Sequence, residues 1–175
     1  AMFRASAFQE AGGFRPDVIA GEEPELCVRL RDSGWKIWRL ADPMALHDAA
    51  MTRFGQWWKR MVRGGYAFAQ GAAMHGRGPS RHWVKERRSI LFWGLLVPLA
   101  ALVAALVVGP WGLAILLAYP LQVLRLALRS HLAPGKGKWA YPLFLMLGKF
   151  PQMQGLLRYQ VQTIRRRQAA IIEYK

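Results

Sequence analysis

From Ser89 to Leu124 the chain carries no charged side chain, and no other feature constrains its folding as strongly. A helix needs about 20 apolar residues to cross a hydrocarbon layer about 30 Å thick. Ile90 to Val108 meets that length, with Pro98 as the expected kink. Gly109-Pro110-Trp111-Gly112 then reads as a turn, its indole suited to a membrane–water boundary. Leu113 to Leu128 is a second apolar run that contains Pro120 and ends among Arg125 and Arg129. Together the runs predict a transmembrane helical hairpin over 89–128. A pair of buried core helices is the competing reading, but too little chain remains to cover one.

The cations give the hairpin a direction. Arg81, Lys85, Arg87 and Arg88 precede it; Arg125, Arg129, Lys136 and Lys138 follow. The positive-inside rule therefore puts both ends in the cytoplasm and the turn outside, as in a multi-pass protein of the cytoplasmic (inner) membrane. Over the 175 residues, 25 Lys and Arg outnumber 10 Asp and Glu, a net charge of +15. Charge of this size points to nucleic acid or to membrane lipid, and position decides between them. Up to Ala50 there are six basic and eight acidic residues; from Met51 onward there are nineteen and two. The later cations bracket apolar runs instead of forming a compact stripe among base-stacking aromatics, so nucleic acid is not the expected partner. One cysteine, Cys27, excludes a disulfide-stapled domain.

Between the acidic N-terminal part and the hairpin, 51–88 reads as a basic amphipathic segment at the membrane interface. Phe54, Trp57, Trp58, Met61 and Val62 recur near helical spacing, with Lys59, Arg60 and Arg63 on another face. Gly64-Gly65 is the expected end or bend of that helix. After the hairpin, 129–175 reads as membrane-associated and basic. It holds a third apolar stretch over 139–157, interrupted by Lys149 and Pro151. Both a full span and a re-entrant or interfacial helix fit that stretch. The tail through Arg165-Arg166-Arg167 is expected to return to anionic lipid.

Residues 1–50 carry the chemistry. Gly12-Gly13 marks a loop, and Glu22-Glu23-Pro24-Glu25 places carboxylates where a helix begins, favoured there by the macrodipole. Pro24 suits the first helical position, which makes Glu23 the cap residue. Leu26, Leu30 and Cys27 supply an inward face, and Ser33-Gly34 stops the helix. Trp35-Lys36-Ile37-Trp38-Arg39-Leu40 then alternates as a strand does, its tryptophans expected in a core more than on a sugar. Helix followed by strand predicts an α/β domain, too short here to bury a core alone.

Gly12-Gly13-Phe14, Gly21-Glu22-Glu23-Pro24-Glu25-Leu26, Arg29-Leu30, Gly34-Trp35-Lys36-Ile37 and the later His47 together resemble the second half of the catalytic domain in glycosyltransferase family 2. Many membrane-attached members continue, as this chain does, into a basic amphipathic helix and transmembrane helices. The resemblance covers residues 1 to about 65 by motif and the rest by architecture. It implies the C-terminal half of a GT-A type α/β fold and a role in polysaccharide biosynthesis at the cell envelope. The implied reaction is inverting transfer of a sugar from a nucleotide-sugar donor to a glycan or lipid-linked acceptor, with a divalent cation, Mg or Mn, in the full-length enzyme. By position Glu23 matches the catalytic base, with Glu22 beside it; Glu stands where the family usually has Asp. Arg60 and Arg63 match basic residues near the donor diphosphate, and His47 a position that helps hold the metal or diphosphate.

Other family features are missing. No Asp-x-Asp follows a strand pattern, and the Gln-x-x-Arg-Trp of processive synthases is not matched by Gln56-Trp57-Trp58-Lys59-Arg60. The chain opens Ala1-Met2-Phe3-Arg4, without a signal-peptide pattern and already within a structured-looking segment. The expectation is a fragment of a longer enzyme, inactive by itself. The alternative is a non-catalytic membrane-anchored binding or scaffold protein.

Overall fold

The structure, a computed structural model, describes residues 2–38, 51–129 and 136–165. Its elements are α1 (Ala5–Glu10), α2 (Glu22–Asp32), α3 (Phe54–His75), α4 (Val84–Leu91), a π-helical turn (Phe92–Leu96), α5 (Val97–Val108), a 3₁₀ helix (Pro110–Leu117), α6 (Ala118–Arg129), α7 (Lys136–Leu147) and α8 (Lys149–Ile164). Among the described residues there is no strand, so the expected partial GT-A α/β fold is not present. The alternation from Trp35 has no neighbouring strand among the described residues to take its N–H and C=O groups, and an unpaired strand does not persist. Trp38 is 81% exposed instead of lying in a core. Arg39, Leu40 and His47 lie outside the described residues.

The N-terminal unit packs α1 against α2. Ala7, Leu26 and Leu30 are buried, with Phe3, Phe8 and Trp35 closing over them. The helix α2 stops where Ser33-Gly34 predicts. Gly34 adopts φ +86°, its N–H reaches the Arg31 carbonyl, and the Trp35 N–H reaches that of Leu30. This is a Schellman ending, and it folds Trp35 back onto Leu30.

The helix α3 continues through Gly64-Gly65, so it does not end there. These glycines serve packing. A Cβ on Gly65 would sit 2.0 Å from the Gln152 carbonyl oxygen, and one on Gly155 would sit 1.9 Å from that of Val62. The backbones of α3 and α8 therefore cross in contact, flanked by an edge-to-face Tyr66–Tyr159 pair with centroids 5.3 Å apart. The third apolar stretch divides at Gly148 into α7 and α8, and α8 packs along α3.

Val84–Val108 is one continuous 25-residue helix, and Pro110–Arg129 is a 20-residue return; both are long and apolar enough to cross a membrane. Only 17% and 11% of their apolar windows are buried. Leu102, Leu106, Val107, Leu117, Leu121 and Leu128 face outward, which argues against a pair of soluble core helices. Pro98 lacks the N–H that the Gly94 carbonyl would accept, and the π turn sits over that gap, where a shifted register offers freed carbonyls other donors. Gly112 lies against the Ala104–Ala105 backbone, closing the hairpin near its tip.

Candidate functional site at the start of α2

Gly21 caps α2 at φ +83°, in the left-handed region open to glycine. There is no room for a side chain either: a Cβ would come 2.3 Å from Trp83 Cη2. The first helical bond runs from the Glu25 N–H to the Gly21 carbonyl at 3.0 Å. The helix thus begins two residues earlier than the Pro24 placement predicts. Proline is tolerated anywhere in a first turn, because those N–H groups have no helical acceptor. Glu22 is half-buried and Glu23 exposed, both in that first turn.

The carboxylate that the fold takes inside is Glu25, 1% exposed. Arg29 grips it in a fork: Nε lies 2.9 and 3.0 Å from the two carboxylate oxygens and Nη2 2.7 Å from Oε2. The same guanidinium donates to the Ala11 carbonyl, and to that of Gly13 at 2.7 Å, fixing the Gly12-Gly13 loop. From α3, His75 Nε2 meets Glu25 Oε1 at 3.0 Å. Burial pushes the Glu25 carboxyl up, but hydrogen bonds from Arg29 and His75 outweigh it and hold the group below the usual carboxylate range.

Trp83 is the other fixed point. Its ring fills the space left by Gly21 on one side and by Gly71 of α3 on another, and it immediately precedes the long apolar helix. His82 stacks on it with centroids 4.2 Å apart. Burial, then the neighbouring His75, pushes His82 down from its ordinary value.

The basic candidates separate. Arg63 Nη2 donates to the Ile19 carbonyl at 2.7 Å, and Gln70 Nε2 donates to that of Asp17 at 2.7 Å. Both therefore hold the loop leading into α2 against α3. Arg60 is exposed, with Nη1 4.0 Å from Met51 Sδ. Arg63 and Glu22-Glu23 are thus joined through one short loop, whereas Arg60 has no such link. Among the described residues no group of three or more His, Cys, Asp or Glu side chains is placed to hold a metal ion. The divalent cation implied by the resemblance thus finds no such group among them, and His47, the residue expected to help hold it, lies outside them.

The sequence reading missed Glu25, His75 and Trp83. The Glu25–Arg29 spacing of four was a usable signal for an ion pair on one helix face. Nothing local marks His75, whose partner Glu25 is 50 residues away, or Trp83, which meets Gly21 from a distant part of the chain. Comparison with family models, curated proteins and solved structures gives no significant match.

Proposed function

We propose that the chain is part of an inverting glycosyltransferase that moves a sugar from a nucleotide-sugar donor to a glycan or lipid-linked acceptor at the cytoplasmic face of the inner membrane. One observation carries this reading beyond the sequence motif. The turn bearing Glu22 and Glu23 rests, through Gly21, on Trp83, the residue that opens the 25-residue apolar helix. In this reading that contact sets the carboxylates beside the start of a helix that can cross a membrane, within range of an acceptor held there.

In this reading Glu23 takes the proton from the acceptor hydroxyl as its oxygen attacks the anomeric carbon. The bond from that carbon to the nucleotide diphosphate breaks on the opposite face, so the configuration inverts. Glu25 does not take part directly. Tied to Arg29 and His75, it holds the start of α2 on α3 and so fixes where Glu22 and Glu23 stand. The donor site is expected from residues beyond those described. A non-catalytic membrane scaffold is the second reading, favoured by the lack of any sheet among the described residues.

Membranes from cells expressing the complete gene product, with labelled nucleotide sugars and single-turnover rates, test the proposal. Glu23→Gln keeps the shape but cannot accept the proton, so transfer should fall about 10²–10⁴-fold while donor affinity holds. A collapse in Glu22→Gln instead would move the base by one residue. Unchanged transfer in both variants, or no transfer by the wild type with any donor, would leave the scaffold reading.

A further inference from the structure

A pocket of about 530 Å³ opens between Pro79 and Arg88, directly before the first apolar helix. Arg81, Lys85 and Arg88 line it against a single carboxylate, Glu86. Lys149 of α8 lies within electrostatic reach of Glu86 and further offsets that charge. The first α4 bond runs from the Arg87 N–H to the Trp83 carbonyl. The N–H groups of Lys85 and Glu86, ahead of it, lie at the positive end of the long helix with no helical acceptor.

One further detail singles out this stretch. Arg81 and Trp83 sit at φ +44° and +55°, a conformation that costs non-glycine residues of order 1 kcal/mol or more and persists where surroundings enforce it.

We propose that this pocket binds the phosphate of a membrane lipid. Charge selects an anion, and the location selects the source. The pocket lies at the end of a helix long enough to cross a bilayer, where headgroup phosphates lie, and the outward apolar faces of α5 and α6 leave space for acyl chains alongside. Ser80 adds a hydroxyl donor at the rim. The binding requires no sugar donor and stands whether or not the chain takes part in glycosyl transfer.

Calorimetric titration of the purified protein in a neutral detergent tests it, with dihexanoyl phosphatidic acid, dihexanoyl phosphatidylcholine and inorganic phosphate as ligands. The phosphatidic acid should bind saturably, at least about tenfold tighter than the other two. Arg81→Gly removes a cation and relaxes the left-handed backbone, so its melting temperature should hold or rise while lipid affinity falls about fivefold or more. Arg88→Gln should weaken binding likewise, and Arg129→Gln, an equal charge change outside the pocket, should not. Equal binding of phosphatidylcholine would overturn the selection by charge. Equal binding of inorganic phosphate would overturn the lipid as occupant. Full affinity in both pocket variants, or an equal loss in Arg129→Gln, would overturn the site.

Discussion

A carboxylate as far from water as Glu25 stays ionised only because Arg29 and His75 replace the solvent around it. Glu25→Gln leaves Arg29 without its counter-charge, and thermal unfolding in detergent should show a loss of about 3 kcal/mol at neutral pH. The pH dependence has a definite sign. The folded carboxyl is held below its ordinary value, so its stabilisation is complete above about pH 4.3 and is lost as pH falls through the folded value. Wild type and Glu25→Gln should therefore converge in acid; a gap that persists there would mean that packing, not charge, is responsible. At this scale the sequence was partly legible. The acidic first turn of α2 and its Ser33-Gly34 stop follow local rules, and both are present. Which of three glutamates is enclosed was not legible, because enclosure depends on α3 arriving from a distant part of the chain.

Helices α3 and α8 meet at two glycines whose missing side chains are the contact itself. The neighbouring Gly64 has nothing within 4 Å of its Cβ position and supplies the control. Gly64→Ala should stabilise by up to about 1 kcal/mol through helix propensity alone. Gly65→Ala and Gly155→Ala should destabilise by about 1–3 kcal/mol, since each must push a backbone carbonyl aside. Melting temperatures of the three variants check this; stabilisation by all three would mean that the helices do not touch. The sequence showed α3 as an amphipathic helix because apolar spacing is local information. It offered Gly64-Gly65 as an end or bend, and the helix does not end there; a glycine admitting a second backbone looks the same in sequence as one that ends a helix. The strand expected from Trp35 failed for a related reason: alternation proposes a face, and only a partner strand makes it an element.

The whole molecule divides by charge, with the acidic N-terminal unit set against α3 and the apolar hairpin extending from Trp83. The hairpin was the most legible part, because a long charge-free stretch has few alternatives. In a Cys27→Ser background, cysteines replacing Lys85 and Lys138 should label only from the cytoplasm, and one replacing Trp111, 84% exposed at the turn, only from outside. Labelling of either lysine position from outside would reverse the proposed topology. The two arms are unequal, 25 residues out and 20 back. Wound uniformly as α-helix, the return would fall about 7 Å short. Its first eight residues, however, are 3₁₀. That winding rises about 2.0 Å per residue in place of 1.5 Å, which restores about 4 Å of reach. The return arm is thus already partly stretched. In bilayers of longer acyl chains hydrophobic mismatch should fall on it first, at a fraction of a kcal/mol per Å, with the outgoing arm still covered.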